Sequence, residues 1–335
     1  MFATLATTFP FFALVLCGYL AVRRHLLPRL AIPGLNGFVL YFALPCLLFR
    51  FGSETPIAQL FDPGVAAVYV LSALVMVAIA VALGRKGGLD WNNSAFGALL
   101  AAFPNTGFMG VPLLVALLGT RASGPVIVTI AIDLIVTTSV CVALSRFGQT
   151  PAAGARAPAQ GSAVALRLAL AGMLRNPMPW AIAFGALASA AGLALPAPVA
   201  RTVGLLADAA SPVALFTIGA LLARAQMNTA DPVAGCAVPP RVVRAAASVT
   251  AIALAKLIVH PLVVGVVAYG TMAAGLALDA FALTVLMLVA ALPSAGNVAM
   301  LAERFGADSG RIARIILLST VLSFFTFSVV VALLT

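Results

Sequence analysis

Two short runs in this chain place helix-breaking residues beside neutral hydrogen-bonding side chains. One reads FPNTGFMGVP, with Pro104, Asn105, Thr106 and Gly107 at its centre; the other reads ALPSAGN, with Pro293, Ser294, Gly296 and Asn297. Proline gives no N–H to the preceding turn and glycine tolerates unwound backbone, so each run predicts a broken helix. A break frees backbone N–H and C=O groups, and these eight residues are the candidates for touching a substrate there. No carboxylate lies at either break, as a metal-cation site would require. Two helix N-termini, each carrying roughly half a positive charge, together with neutral donors suit an anion instead. The competing structural reading is an ordinary kink in which Asn105 caps its own backbone.

Three ionisable residues fall inside apolar runs, where each is expensive and therefore a functional candidate. Lys256 and His260 are spaced i,i+4 and share a helix face. Either could pair with a substrate carboxylate, His260 could titrate, or Lys256 could simply balance Asp133. Asp133 stands between Thr129 and Thr137, a polar stripe fit for proton relay, ion coordination or helix–helix adhesion. Asp208 reads as a rim residue, Glu303–Arg304 as a gate or a solvated helix end, and Arg121 and Arg201 as interfacial anchors. Ser319, Ser323 and Thr326 form a further stripe suited to interhelical hydrogen bonds.

The elements that must hold these groups follow from composition. The 335 residues are 63% hydrophobic and 8% charged, against about half and a quarter in a soluble domain. A cytosolic enzyme, a nucleic-acid binder and a disordered chain are excluded; a polytopic α-helical membrane protein is implied. Apolar runs give ten spans, near 7–27, 31–51, 64–84, 92–119, 123–146, 177–195, 201–224, 247–270, 280–304 and 312–334. Arg23 and Arg24 follow the first run, the wrong polarity for a cleaved signal peptide, so that run is expected to be a retained span. Alternate loops then collect fifteen basic residues on one side and three on the other, with Lys256 within a span. This asymmetry places both termini outside the cytoplasm. Four cysteines without a CxxC pair and two histidines indicate neither a disulfide framework nor a metal site, and no phosphate-binding Gly-rich loop points to ATP hydrolysis.

Residues 147–176 open with a Pro/Ala/Gly-rich stretch that reads as a cytoplasmic linker, part of which could lie on the membrane as an amphipathic helix. It separates a first five-helix repeat, 1–146, from a second, 177–335. Pro45-Cys-Leu-Leu48-Phe49 matches Pro212-Val-Ala-Leu215-Phe216, and the Pro104 break matches the Pro293 break. Because five is odd, the second repeat enters the membrane inverted, the arrangement of many secondary transporters. Two broken helices are then expected to cross near the midplane.

FPNTGFMGVPLL, KLIVHPL around Lys256, ALPSAGN and ILLSTVLSFFT resemble the bacterial transporters of the auxin efflux carrier family. That family includes proteins described as malonate or dicarboxylate transporters and distant plant PIN-type relatives. The resemblance covers nearly the whole chain, with Pro-Asn-Thr-Gly its most specific piece. It implies a sodium/bile-acid-symporter-like fold: helices 1, 2, 6 and 7 a scaffold, helices 3–5 and 8–10 a moving transport domain, and Asn105 and the Pro293 region flanking a carboxylate. The central loop here is short, so loop phosphorylation seen in plant members is not implied.

The expected function is secondary transport of small organic anions, malonate-like first and auxin-like aromatic acids second, by alternating access across a bacterial-type plasma membrane. No cofactor and no nucleic acid are expected; the partners are the anion, a coupling proton or sodium ion, membrane lipid and, through the scaffold, a second copy in a homodimer. The rival classes are a carboxylate receptor without net transport, which would bind without accumulating ligand, and an intramembrane enzyme using Lys256, His260 and Asp133, which would turn over substrate in detergent.

Overall fold

The computed structural model describes residues 2–55, 62–147, 177–228 and 248–335. Apart from Phe147 the expected linker lies outside them, as do Cys236, Arg241 and Arg244. The described chain is helical, and its only β-type pairing is one isolated antiparallel bridge, Pro104 to Ser294.

Twelve helices account for the described architecture. They are α1 (Phe2–Arg23), α2 (Arg29–Glu54), α3 (Pro63–Lys86), α4 (Trp91–Ala102), α5 (Thr106–Leu118), α6 (Thr120–Ser145), α7 (Pro177–Ala190), α8 (Ala197–Asn228), α9 (Ser248–Ala273), α10 (Ala280–Ala291), α11 (Val298–Arg304) and α12 (Ser309–Leu334). Pairs α4/α5 and α10/α11 are the interrupted fourth and ninth apolar runs. Six helices (α2, α3, α6, α8, α9 and α12) are long and apolar enough to cross a membrane. Large apolar side chains such as Phe42, Leu205, Val266 and Phe325 stand exposed along them, as lipid-facing surfaces do. The protein is an integral, multi-pass, all-helical membrane protein.

The few acids are mostly committed to helix ends. The side chains of Asp62, Asp90 and Asp308 accept backbone N–H groups at the starts of α3, α4 and α12. Asp208 pairs with Arg50 at 2.7 Å and Asp279 with Arg121 at 2.8 Å, both at exposed positions. Among the described acids only Asp133 is buried. Glu303 and Arg304 are both exposed and form no ion pair with the described residues. Arg311, counted above as a loop residue, is instead buried in the first turn of α12. Its guanidinium donates to the Asn93 carbonyl at 3.0 Å and to Ser248 Oγ at 3.2 Å. It fits there because Gly97 leaves its place free.

Two sets of contacts organise the helices. Helix α8 packs on α1 and α2, and α2 on α7; separately α3 packs on α4 and α9, α4 on α6, and α9 on α10. The α1–α8 contact is a backbone approach. A Cβ on Gly18 would run into the Phe216 carbonyl, and one on Gly219 into the Val15 carbonyl. Small residues that let two backbones touch are the usual adhesive between helices in lipid. Replacing Gly219→Val should therefore separate α1 from α8 and cost about 1–3 kcal/mol or more. Thermal unfolding in detergent checks this; a midpoint equal to that of the unsubstituted protein would show the contact to be slack.

Candidate functional site

Both breaks form where proline removes an N–H. Pro104 cannot serve the Leu100 carbonyl of α4, and the Ser294 hydroxyl from the other break donates to it at 2.8 Å. Across the gap, Asn105 N–H donates to the Pro293 carbonyl at 2.8 Å and Ala295 N–H to the Phe103 carbonyl at 3.0 Å. The two unwound segments thus satisfy each other as a two-residue antiparallel ladder. Ser294 N–H is taken by Ser319 Oγ at 3.2 Å, whose own hydroxyl donates to Ile316. Of the Ser/Thr stripe on α12, only Ser319 bonds another segment; Ser323 and Thr326 bond their own helix.

A crevice of ≈ 20 Å³, room for about one water, sits beside this ladder. Pro104, Asn105, Gly107 and Asn297 line it from the breaks, Ile130 and Leu134 from α6, Leu44 and Leu48 from α2, and Met178 from α7. Of the other residues singled out, Ser294 is occupied by Leu100 and Thr106 is fully buried behind the ladder, while Pro293 and Gly296 complete the turn. The Asn105 side chain caps nothing and makes no hydrogen bond with the described residues, although it is buried; Asn297 Oδ1 is likewise unpartnered. Buried amides without partners are costly unless something binds them. After the break, α5 opens with a π-turn at Thr106–Gly110, in which Gly110 N–H reaches back to the Asn105 carbonyl.

A second buried polar cluster lies behind the ladder, and two more π-turns, Asp133–Thr137 and Ala255–Val259, carry it. Both Asp133 oxygens accept hydrogen bonds, from Tyr69 OH at 2.7 Å and Thr137 Oγ1 at 2.9 Å. Thr129 instead bonds its own helix. Lys256 Nζ donates to the Ala290 carbonyl at 2.7 Å and contacts His260 Nδ1 at 2.9 Å. That carbonyl is free because Ser294, four residues on, has left the helix. Lys256 and Asp133 do not form a direct ion pair. Tyr69 and the Ala290 carbonyl were not anticipated from sequence; a lone tyrosine in an apolar span was the available signal, since its hydroxyl must find a partner.

Comparison with known proteins identifies the chain as a transporter. The pattern of a family described as membrane transport protein matches residues 4–331. The chain belongs to this family. It is a membrane transporter and not an enzyme, and its resemblance to the auxin efflux carriers is upheld. A protein of Rhizobium meliloti (strain 1021), provisionally named a malonate transporter, is 30% identical over 94% of this chain and 90% of its own length. Auxin efflux carrier component 4 of Arabidopsis thaliana is 34% identical over 31% of this chain and 17% of its own. The uncharacterized transporter YfdV of Escherichia coli (strain K12) is 26% identical over 64% and 67%.

The ladder makes a stability prediction. Ser294→Ala leaves the Leu100 carbonyl buried without a donor, at a cost of about 1–3 kcal/mol. A thermal unfolding midpoint that does not fall would show that the carbonyl has another partner.

Proposed function

We propose that this transporter moves small organic anions, with a malonate-like carboxylate as the leading substrate, by alternating access at the crossed breaks. The observation that carries the reading is the pairing of the two breaks beside a crevice lined by no acid but by Asn105, whose side chain caps nothing, and Asn297, whose Oδ1 has no partner among the described residues. Neutral amides and the first turn of α5 offer hydrogen bonds and a positive dipole end to a carboxylate, with no carboxylate to repel it. The similarity to the Rhizobium protein supports malonate over other acids.

The crevice holds about one water, too little for a dicarboxylate, so admission requires its walls to part. One wall comes from α2 and α7, the other from the breaks and α6. This division follows the two packing sets and supports a scaffold of α1, α2, α7 and α8 against a transport unit of the remaining helices. In this reading α4/α5 and α10/α11 each make one span. Ten spans form two inverted five-helix repeats, 1–146 and 177–335, joined by a cytoplasmic linker, with both termini outside a bacterial-type plasma membrane.

Uptake of labelled malonate into proteoliposomes tests the substrate. Saturable accumulation is expected; folded, inserted protein that takes up none under any imposed gradient would exclude malonate. Asn105→Ala should weaken malonate binding about 10–100-fold, the worth of a hydrogen bond to a charged group, with little effect on folding since the side chain holds no other residue. Binding calorimetry on the purified variant decides this, and unchanged affinity would remove Asn105 from the site.

A further inference from the structure

Lys256, His260, Tyr69 and Asp133 are fully buried, yet none lines the crevice at the breaks. They cluster one turn before Pro293, and Lys256 is tied to the transport ladder through the Ala290 carbonyl. Resting on the transporter reading above, we propose that Lys256 and His260 form a proton-exchange site, and that a proton, not a metal cation, is the coupling ion.

The hydrogen-bond inventory argues against a metal cation at this cluster. A hard cation needs several free oxygen ligands. Here both Asp133 oxygens already face hydroxyl hydrogens, and the Ala290 carbonyl faces the Lys256 ammonium, whose charge repels a second cation. Among the described residues no group of three or more His, Cys, Asp or Glu could hold a metal.

The same geometry accepts a proton in two ways. With Lys256 as ammonium, Nζ donates both to the Ala290 carbonyl and to a bare His260 Nδ1, so the ring proton resides on Nε2. With Lys256 as neutral amine, Nζ still donates to Ala290, and its lone pair accepts a proton carried on Nδ1, leaving Nε2 bare. Distances of 2.7 and 2.9 Å serve both forms. Passing from the first to the second moves one ammonium proton to Nδ1 and releases the Nε2 proton. One proton leaves, and no hydrogen bond within the protein is lost. Nε2, the atom of departure, is buried and has no partner among the described residues, so its proton passes to a water admitted when the helices part during transport. The ring is thus a two-ended relay.

The groups facing this pair are few. Tyr69 comes from α3, with its ring 6.4 Å from that of His260; Asp133 comes from α6, and Cys141 of the same helix adjoins Asp133 rather than the pair. Helices α4, α10 and α12 also pack here and bring no described titratable group to it. Asp133 balances the ammonium when it is present. Loss of the proton removes a positive charge from behind the anion site, so proton and anion should favour each other's binding, and by linkage reciprocally.

The chain contains two histidines, which makes the relay directly observable. In protein labelled with ¹⁵N only at histidine, His260 should exchange its Nε2–H tautomer for the Nδ1–H tautomer as pH is raised, remaining neutral throughout. Exposed His25 gives the only other histidine signal, so the His260 resonances can be assigned by difference. A His260 that keeps one tautomer, or becomes imidazolium, overturns the proposal. Lys256→Met should abolish the exchange; if that variant does not fold, the result on the unsubstituted protein decides alone. In proteoliposomes, malonate accumulation should follow an imposed pH gradient and ignore a sodium gradient. Sodium-driven accumulation overturns the proposal. A tautomer exchange without malonate uptake supports the proton site and removes malonate as substrate; uptake without the exchange keeps the transporter and overturns the proton site.

Discussion

The structure depends on an exchange of backbone hydrogen bonds between two interrupted helices. In hydrocarbon, an unpaired N–H or C=O costs several kcal/mol, so helices are not normally broken at membrane depth. Here each break supplies what the other lacks: Asn105 N–H to Pro293, Ala295 N–H to Phe103, Ser294 hydroxyl to Leu100. Neither break is satisfied without its counterpart, which explains why residues 189 positions apart come to lie side by side. The remaining freed carbonyl, at Ala290, recruits Lys256, and so joins the ladder to the buried Asp133–Tyr69 cluster.

Much of this was legible in the chain because the physics was local. Proline and glycine mark a break wherever they stand in an apolar run, and the runs at 92–119 and 280–304 do separate into α4/α5 and α10/α11. The all-helical membrane class followed from composition, and the family from a handful of motifs. What was not legible depended on which helix faces which. Nothing near Tyr69 in sequence announces that its hydroxyl would meet Asp133 from another helix. Arg311 looked like a loop charge because its acceptors, Asn93 and Ser248, are 218 and 63 residues away. Leu44, Leu48 and Met178 entered the crevice wall by packing alone, as ordinary apolar residues with no chemical signature.

The distribution of charge has the same economy. The described acids cap helices, pair at exposed ends, stand solvated, or, at Asp133 alone, sit inside. The crevice is thereby left without a fixed negative charge, and its polarity comes from amides and backbone. Fixed dipoles that need not reorganise favour a bound anion more than mobile water does in a low-dielectric setting.

Because the ladder is made by main-chain atoms, with side-chain help from Ser294, Ser319 and Lys256 and none from Asn105 or Asn297, its scaffolding is nearly independent of those two amides. Asn105 and Asn297 can therefore be exchanged for other residues without removing a hydrogen bond that holds the two breaks together. In the proposed reading, what the protein binds is separable from what keeps it folded.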